Sequence, residues 1–214
     1  MKRIFFALAF ASFFWSCKTA GVVTKTANPV IENVAVVINL NDVNDDKVLV
    51  TITAPKINTD EVTYSIPKIV PGTYSIDNYG KYIEDFKAFD NKGTVLTVAK
   101  IDDNTWSIKN AKTVAKVTYL VNDTFDTEKG SGFGNSDIFS PAGTNIDAGK
   151  NFMLNMHGFV GYFQDKKDLP YNVSISHPAT LWGATSMTDH EVSDTNDLFT
   201  TTRYAELVEN PIMY

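Results

Sequence analysis

"YIEDFKAFDNKGTVLTVAKIDDNTWSIKNAKTVAKVTYLV", residues 82–121, changes between apolar and polar side chains at nearly every second position. Successive side chains of a strand leave opposite faces, so this period of two marks strands with one face buried. "YIEDFKAFD" leads through Asn91-Lys92-Gly93 into "TVLTVA", then through Asp102-Asp103-Asn104 into "TWSIK", and "AKVTYLV" follows. Gly, Asn and Asp at the joints supply the backbone freedom and local hydrogen bonds of tight turns. The segment predicts a four-strand meander with Trp106 and Tyr119 filling its core face.

The same rhythm runs outward in both directions. Val34, Val36 and Ile38 alternate in "VAVVINL", Val48, Val50 and Ile52 in the next run, and "EVTYSI" repeats the pattern. Strand signals return in "FMLNMHGFVGYF", "YNVSIS", "LWGATSM" and "LFTTTRY", and only Tyr204–Val208 hints at a helical turn. Short strands at regular spacing, without intervening helical patterns, predict an all-β antiparallel β-sandwich with an apolar interior. From Asp123 to Lys150 the period fails: five glycines among many Asp, Asn and Ser predict a long loop, of the kind that tends to carry function.

The first residues belong to a different class. Lys2 and Arg3 precede an apolar run from Ile4 to Trp15, which fits a cleaved signal core of about 7–15 residues and falls short of the roughly 20 that a permanent span needs. Cys17 is the chain's sole cysteine, which excludes an internal disulfide. Preceded by the small Ser16, it resembles the lipid-attachment cysteine of bacterial lipoproteins, with Phe14 standing where a smaller aliphatic residue is usual. The organisation expected is a lipoprotein signal peptide over 1–16, a lipidated flexible tether over 17–30, a β-sandwich over 31–208 and the start of a linker over 209–214. The location expected is the bacterial cell envelope, exported and membrane-anchored, and the absence of acidic residues in Lys18-Thr19-Ala20 favours the periplasm-facing side. Removing Lys2 and Arg3 leaves 17 basic residues against 25 acidic, a formal charge of −8. With Arg203 as the one remaining arginine, the chain lacks the basic surface that a nucleic-acid partner requires.

Catalytic motifs fail one by one. "GSGFGN" at 130–135 has Asn135 where a dinucleotide loop needs its third glycine. Asp42, Asn44 and Asp46 begin like a calcium loop, but Lys47 takes the glycine position and Thr53 that of the closing glutamate. His157, His177 and His190 are scattered, and His190-Glu191 is followed by no second histidine at helical spacing. Glu84 and Asp85, as strand neighbours, are expected on opposite faces and so cannot act together. No catalytic residue and no metal ligand is assigned.

Pro71-Gly72 raises the remaining question. It is a turn pair that sends Thr73 and Tyr74 off at a sharp angle from the preceding strand. The run "SIPKIVPGTYSIDNYGKYIEDFKAFDNKGTVLTVAKIDDNTWSI", residues 65–108, resembles the N-terminal domain of the PDZ-bearing glycyl aminopeptidases, metallopeptidase family sixty-one. The matching positions are Pro71, Gly72, Thr73, Tyr74, Ile76, Asn78, Tyr79, the Asp90–Gly93 hairpin and Trp106. Asp77 stands where that family commonly has a basic residue, and Pro67–Val70 where a Trp often precedes the turn. "PATLWGATS" at 178–186 and "RYAELVENPI" at 203–212 are similar to the segments that close the family's domain. The resemblance implies a non-catalytic β domain that packs on a zinc peptidase domain and helps shape its substrate cleft. Zinc and the PDZ module would lie in parts this chain does not contain, so no cofactor is expected here and the isolated chain is expected not to cleave peptides. An ending on Met213-Tyr214 at such a junction leads to the expectation of a fragment of a longer enzyme. Pro71, Gly72, Thr73, Tyr74, Asp77 and Tyr79 are the candidates for the surface facing that cleft or partner, with core packing of the two tyrosines as the other reading. The rival function is a stand-alone envelope lipoprotein that binds a peptide or glycan through its 73–79 and 123–150 loops.

Overall fold

The computed structural model describes residues 32–125, 138, 140–191 and 193–214. The expected signal peptide, Cys17 with its tether, and the 130–135 glycines lie outside the described residues.

Thirteen strands are described: β1 Val34–Asn44, β2 Lys47–Thr53, β3 Glu61–Ser65, β4 Ile83–Asp90, β5 Val98–Asp102, β6 Thr105–Lys109, β7 Val114–Asn122, β8 Asn145–Asp147, β9 Asn151–Leu154, β10 Tyr162–Phe163, β11 Tyr171–Ser176, β12 Asn196–Thr201 and β13 Ile212–Met213. Two short helices accompany them, α1 Met156–Phe159 and α2 Tyr204–Val208. The fold is all-β, as the alternation predicts. A six-stranded sheet runs β12-β11-β1-β2-β7-β4, a four-stranded sheet β10-β3-β6-β5, and a small third sheet β13-β9-β8. Every ladder is antiparallel except β1 with β11, which run parallel from Val34↔Tyr171 to Asn39↔Ser176. Parallel neighbours need a long crossover. Here it includes the whole second sheet.

The alternation does the expected work in the large sheet. Val34, Val36, Ile38 and Leu40 on β1, Val48, Val50 and Ile52 on β2, and Val117, Tyr119 and Val121 on β7 are all buried. From the four-stranded sheet, Tyr64, Trp106 and Ile108 complete the core. Phe86 of β4 stacks on Trp106 of β6, ring centroids 4.8 Å apart, so the two sheets meet face to face through aromatic rings.

The meander expected over 82–121 divides between the sheets. β4 and β7 pair with each other in the large sheet, while β5 and β6 form a hairpin in the other. The switch lies just after the Asp90–Gly93 hairpin, where Asp90 Oδ1 accepts from the Lys92 and Thr94 amides and Gly93 takes φ 83°. Phe89 bridges Val95 and the Leu96 amide reaches Ala88, and the chain then leaves β4 to enter β5.

The β1–β2 turn is the solvated hairpin tip that the failed calcium loop leaves, and the expectations for Glu84–Asp85, 181–187 and 209–214 are corrected. Asp45 and Asp46, at φ 53° and 49°, make the two-residue β1–β2 turn, the left-handed pair that fits the twist of a hairpin. Glu84 and Asp85 are both exposed, because Asp85 at φ 51° sits in a bulge of the β4–β7 ladder; they pair with Lys47 and Lys87. "LWGATSM" forms no strand beyond a bridge from Ala184 to Met213. The residues expected to begin a linker instead close the third sheet: Ile212 and Met213 pair with Leu154 and Met153, and Tyr214 is buried.

The interior is not purely apolar. The Gly161 amide donates to the Tyr64 hydroxyl at 2.8 Å, Tyr64 and Tyr119 share a 2.8 Å hydrogen bond, and the Tyr119 hydroxyl donates to the Phe159 carbonyl at 2.7 Å. Since Tyr119 gives its proton to Phe159, Tyr64 must donate to Tyr119. A Cβ at position 161 would fall 2.4 Å from the Ser65 carbonyl, so only glycine lets the backbone approach Tyr64 this closely.

Candidate functional site

The Pro71–Tyr79 loop divides into an outward and an inward half. Pro71, Gly72, Tyr74 and Ile76 are exposed, Tyr74 at 96%, while Asp77 and Tyr79 are buried and Thr73 is half-buried. Gly72 takes φ 98°, and Tyr74 takes φ 58°, a left-handed conformation that is uncommon for a bulky side chain. Thr73 braces the turn by donating its hydroxyl to the Val70 carbonyl at 3.0 Å. The Asp77 and Asn78 amides both donate to the Lys68 carbonyl at 2.9 Å.

Asp77 anchors the inward half. Its carboxylate accepts from Ser75 Oγ and, at 2.9 Å, from the Tyr79 hydroxyl. Burial first, and the Asp77 hydrogen bond second, hold the Tyr79 phenol protonated far above its usual range. The Tyr79 ring meets His157 edge-on, centroids 4.5 Å apart, and His157 Nε2 donates to the Ala142 carbonyl at 3.0 Å. Gly80 lies under the β5–β6 turn, where a Cβ would fall 2.3 Å from the Asp103 carbonyl. Of the six loop candidates, Pro71, Gly72 and Tyr74 reach solvent, whereas Asp77 and Tyr79 hold the loop to the body.

Two cavities are open at the surface, one of them beside the loop. One, of about 590 Å³, includes Pro67–Pro71 of the loop's approach and Arg203–Ala205 of α2 in its lining. The other, of about 740 Å³, lies among Phe152, Leu181, Trp182, Met213 and Tyr214, with Trp182 76% exposed. Around the second, Tyr214 donates its hydroxyl to Asp197, its ring lies 4.9 Å from that of His177, and His177 Nε2 stands 3.5 Å from Asp197 Oδ1. Gly183 permits this cluster, because a Cβ there would meet Asp197 Oδ2 at 2.5 Å. Nothing in the sequence pattern points to Asp197, His177 and Tyr214 as neighbours, since they sit on three separate segments.

The three histidines stay apart in role. His157 is bound to a carbonyl, His177 faces Asp197, and His190 Nε2 contacts Thr200 Oγ1 at 3.0 Å. Among the described residues no three of His, Cys, Asp and Glu gather where they could hold a metal ion. Among the described residues, also, no helix is long and apolar enough to cross a membrane.

The profile of the Peptidase M61 N-terminal domain matches residues 35–214. The chain belongs to that family. The Peptidase M61 N-terminal match thus takes in both segments that close the fold, 178–186 and 203–212, which the hydrogen bond from Ser186 Oγ to Asn210 Oδ1 brings side by side. Among solved structures, an aminopeptidase N family protein from Idiomarina loihiensis superposes with a TM-score of 0.69 at 23% identity, covering 84% of this chain and 29% of its own. An M1 zinc metallopeptidase from Deinococcus radiodurans gives a TM-score of 0.40 at 10% identity, covering 86% of this chain and 41% of its own. Yeast LTA4 hydrolase in complex with bestatin gives 0.45 at 10% identity, covering 86% and 28%. No curated protein matches the chain. The Idiomarina likeness supports the fold, and this chain spans less than a third of that protein's length.

Proposed function

We propose that this chain is the non-catalytic N-terminal β domain of an exported, lipid-anchored, aminopeptidase-like zinc metallopeptidase. In this reading Cys17 carries the lipid on the periplasmic face of an envelope membrane. The β domain packs on a zinc peptidase domain and shapes the entrance to its peptide-binding cleft. The observation that carries the reading is membership of the Peptidase M61 N-terminal family over residues 35–214. Two surfaces support a role in contact: the exposed Tyr74 and Ile76 on their strained loop, and the apolar cavity edged by Trp182 and Met213. Exposed aromatic groups of this kind are characteristic of interfaces.

A single preparation tests both parts. The full chain is expressed in a bacterial host, partitioned between detergent and water, and assayed on alanyl and glycyl anilides with added zinc. The expected outcome is recovery in the detergent phase, lost in C17S, with no chelator-sensitive hydrolysis. Chelator-sensitive cleavage by the purified chain would refute the non-catalytic role, and aqueous partitioning of the wild type would refute the anchor.

A further inference from the structure

We propose that the cavity of about 590 Å³ between the Ser65–Pro71 segment and α2 is a binding site for a peptide bearing a free carboxylate. Its charge runs against that of the molecule. Lys68, Lys167 and Arg203 line it with Asp168 as the one acid, in a chain where acids outnumber bases 25 to 19. The three cations differ in availability. Lys68 is 3.5 Å from Asp102, and Lys167 sits over the Tyr162 ring at 4.9 Å. Arg203 makes no ion pair among the described residues. Glu206, which feels its charge, has one carboxylate oxygen accepting from both the Thr202 amide and hydroxyl at 2.7 Å.

An exposed guanidinium whose planar fork makes no hydrogen bond among the described residues is suited to a bidentate carboxylate. Tyr162, Tyr204 and Pro67 supply apolar surface next to it for the side chain that would accompany that carboxylate. Ile69 adds a third element: it is 52% exposed, and its backbone makes no hydrogen bond among the described residues, leaving an amide and a carbonyl for an extended peptide. Cationic rim, apolar wall and open backbone fit a peptide C-terminus better than a bare anion. The volume falls within the range of about 300–1,000 Å³ usual for small-ligand sites. Every group used lies in this chain, so the inference does not depend on a peptidase partner.

Calorimetric titration of the full chain with N-acetyl-leucyl-leucine, its C-terminal amide and inorganic phosphate tests the site. The free acid is expected to bind, the amide about tenfold or more weakly, and phosphate more weakly than the acid. R203Q is expected to lower affinity for the acid about tenfold and K167Q several-fold, with added salt weakening the wild type. Both side chains are exposed, so the variants should fold, and a far-ultraviolet melt checks this. Should R203Q fail to fold, K167Q with the acid–amide comparison decides. Equal binding of acid and amide, phosphate binding as tightly as the peptide, unchanged affinity in the folded variants, or no heat at peptide concentrations on the order of 10 mM would each overturn the proposal.

Discussion

Burial pushes the His157 imidazole below its usual value, against the opposing pull of its bonds to the Ala142 and Val208 backbone and of the Asp77 charge. The unfolded chain then takes up a proton on this residue as pH falls below about 6.5, while the folded chain resists it. Stability contributed by the neutral ring is therefore present above that value and lost as pH falls through it, with a slope of at most about 1.4 kcal/mol per pH unit. Glu61, Asp90, Asp102 and Glu206, whose pKa values are lowered, contribute stability that is lost only at pH below the ordinary carboxylate range of about 4. Urea unfolding between pH 7 and 5 is expected to show a smaller slope in H157Q than in wild type, and equal slopes would show that the ring titrates alike in both states. The same corner shows what the sequence hid about the candidate loop. Pro71-Gly72 announces a turn through its backbone chemistry, but Tyr74 and Tyr79 are the same residue type in the same loop. The Asp77 carboxylate and the His157 ring, the second far away in sequence, hold Tyr79 inward, while Tyr74 stays outside.

β13 has two residues, too few for any period to reveal, yet it closes the third sheet. Ile212 is fully buried against β9, whereas Met213 is 49% exposed. I212A is expected to cost about 2–5 kcal/mol through lost contact and a cavity, and M213A less than about 1 kcal/mol, measured by chemical unfolding. Equal, small effects would mean that 212–214 trail from the body as a linker does. Strands long enough to alternate, such as β1, β2, β7, β11 and β12, were legible because each has one wet face. Partner choice was not, since alternation states that a strand is half-buried without stating which sheet receives it; hence the division of β4 and β7 from β5 and β6. α1 was hidden for another reason. All four of its residues are buried, so a single turn of helix reads like a stretch of inner strand. The 590 Å³ cavity left one trace, the isolated Arg203, and its other walls come from segments more than thirty residues away in the chain.

The two principal sheets are joined across the core by a directed chain of hydrogen bonds as well as by apolar contact. It runs from the Gly161 amide through Tyr64 and Tyr119 to the Phe159 carbonyl. Tyr64 belongs to the four-stranded sheet and Tyr119 to the six-stranded one, so their shared bond defines how the layers face each other. Burial keeps both phenols protonated well above their ordinary range, and the chain persists at any pH the fold survives. Y64F would strand the buried Gly161 amide and Y119F the Phe159 carbonyl, each at a cost of about 1–3 kcal/mol. Tyr171 provides the internal contrast: its hydroxyl is equally buried but has no hydrogen-bond partner among the described residues, so Y171F is expected to be neutral or stabilising. If the relay acts as one unit, Y64F/Y119F should cost less than the sum of the single changes, by about 0.5–3 kcal/mol in a double-mutant cycle of unfolding free energies. Additive losses, or a Y171F loss as large as that of Y64F, would mean that ring packing alone sets the spacing of the sheets.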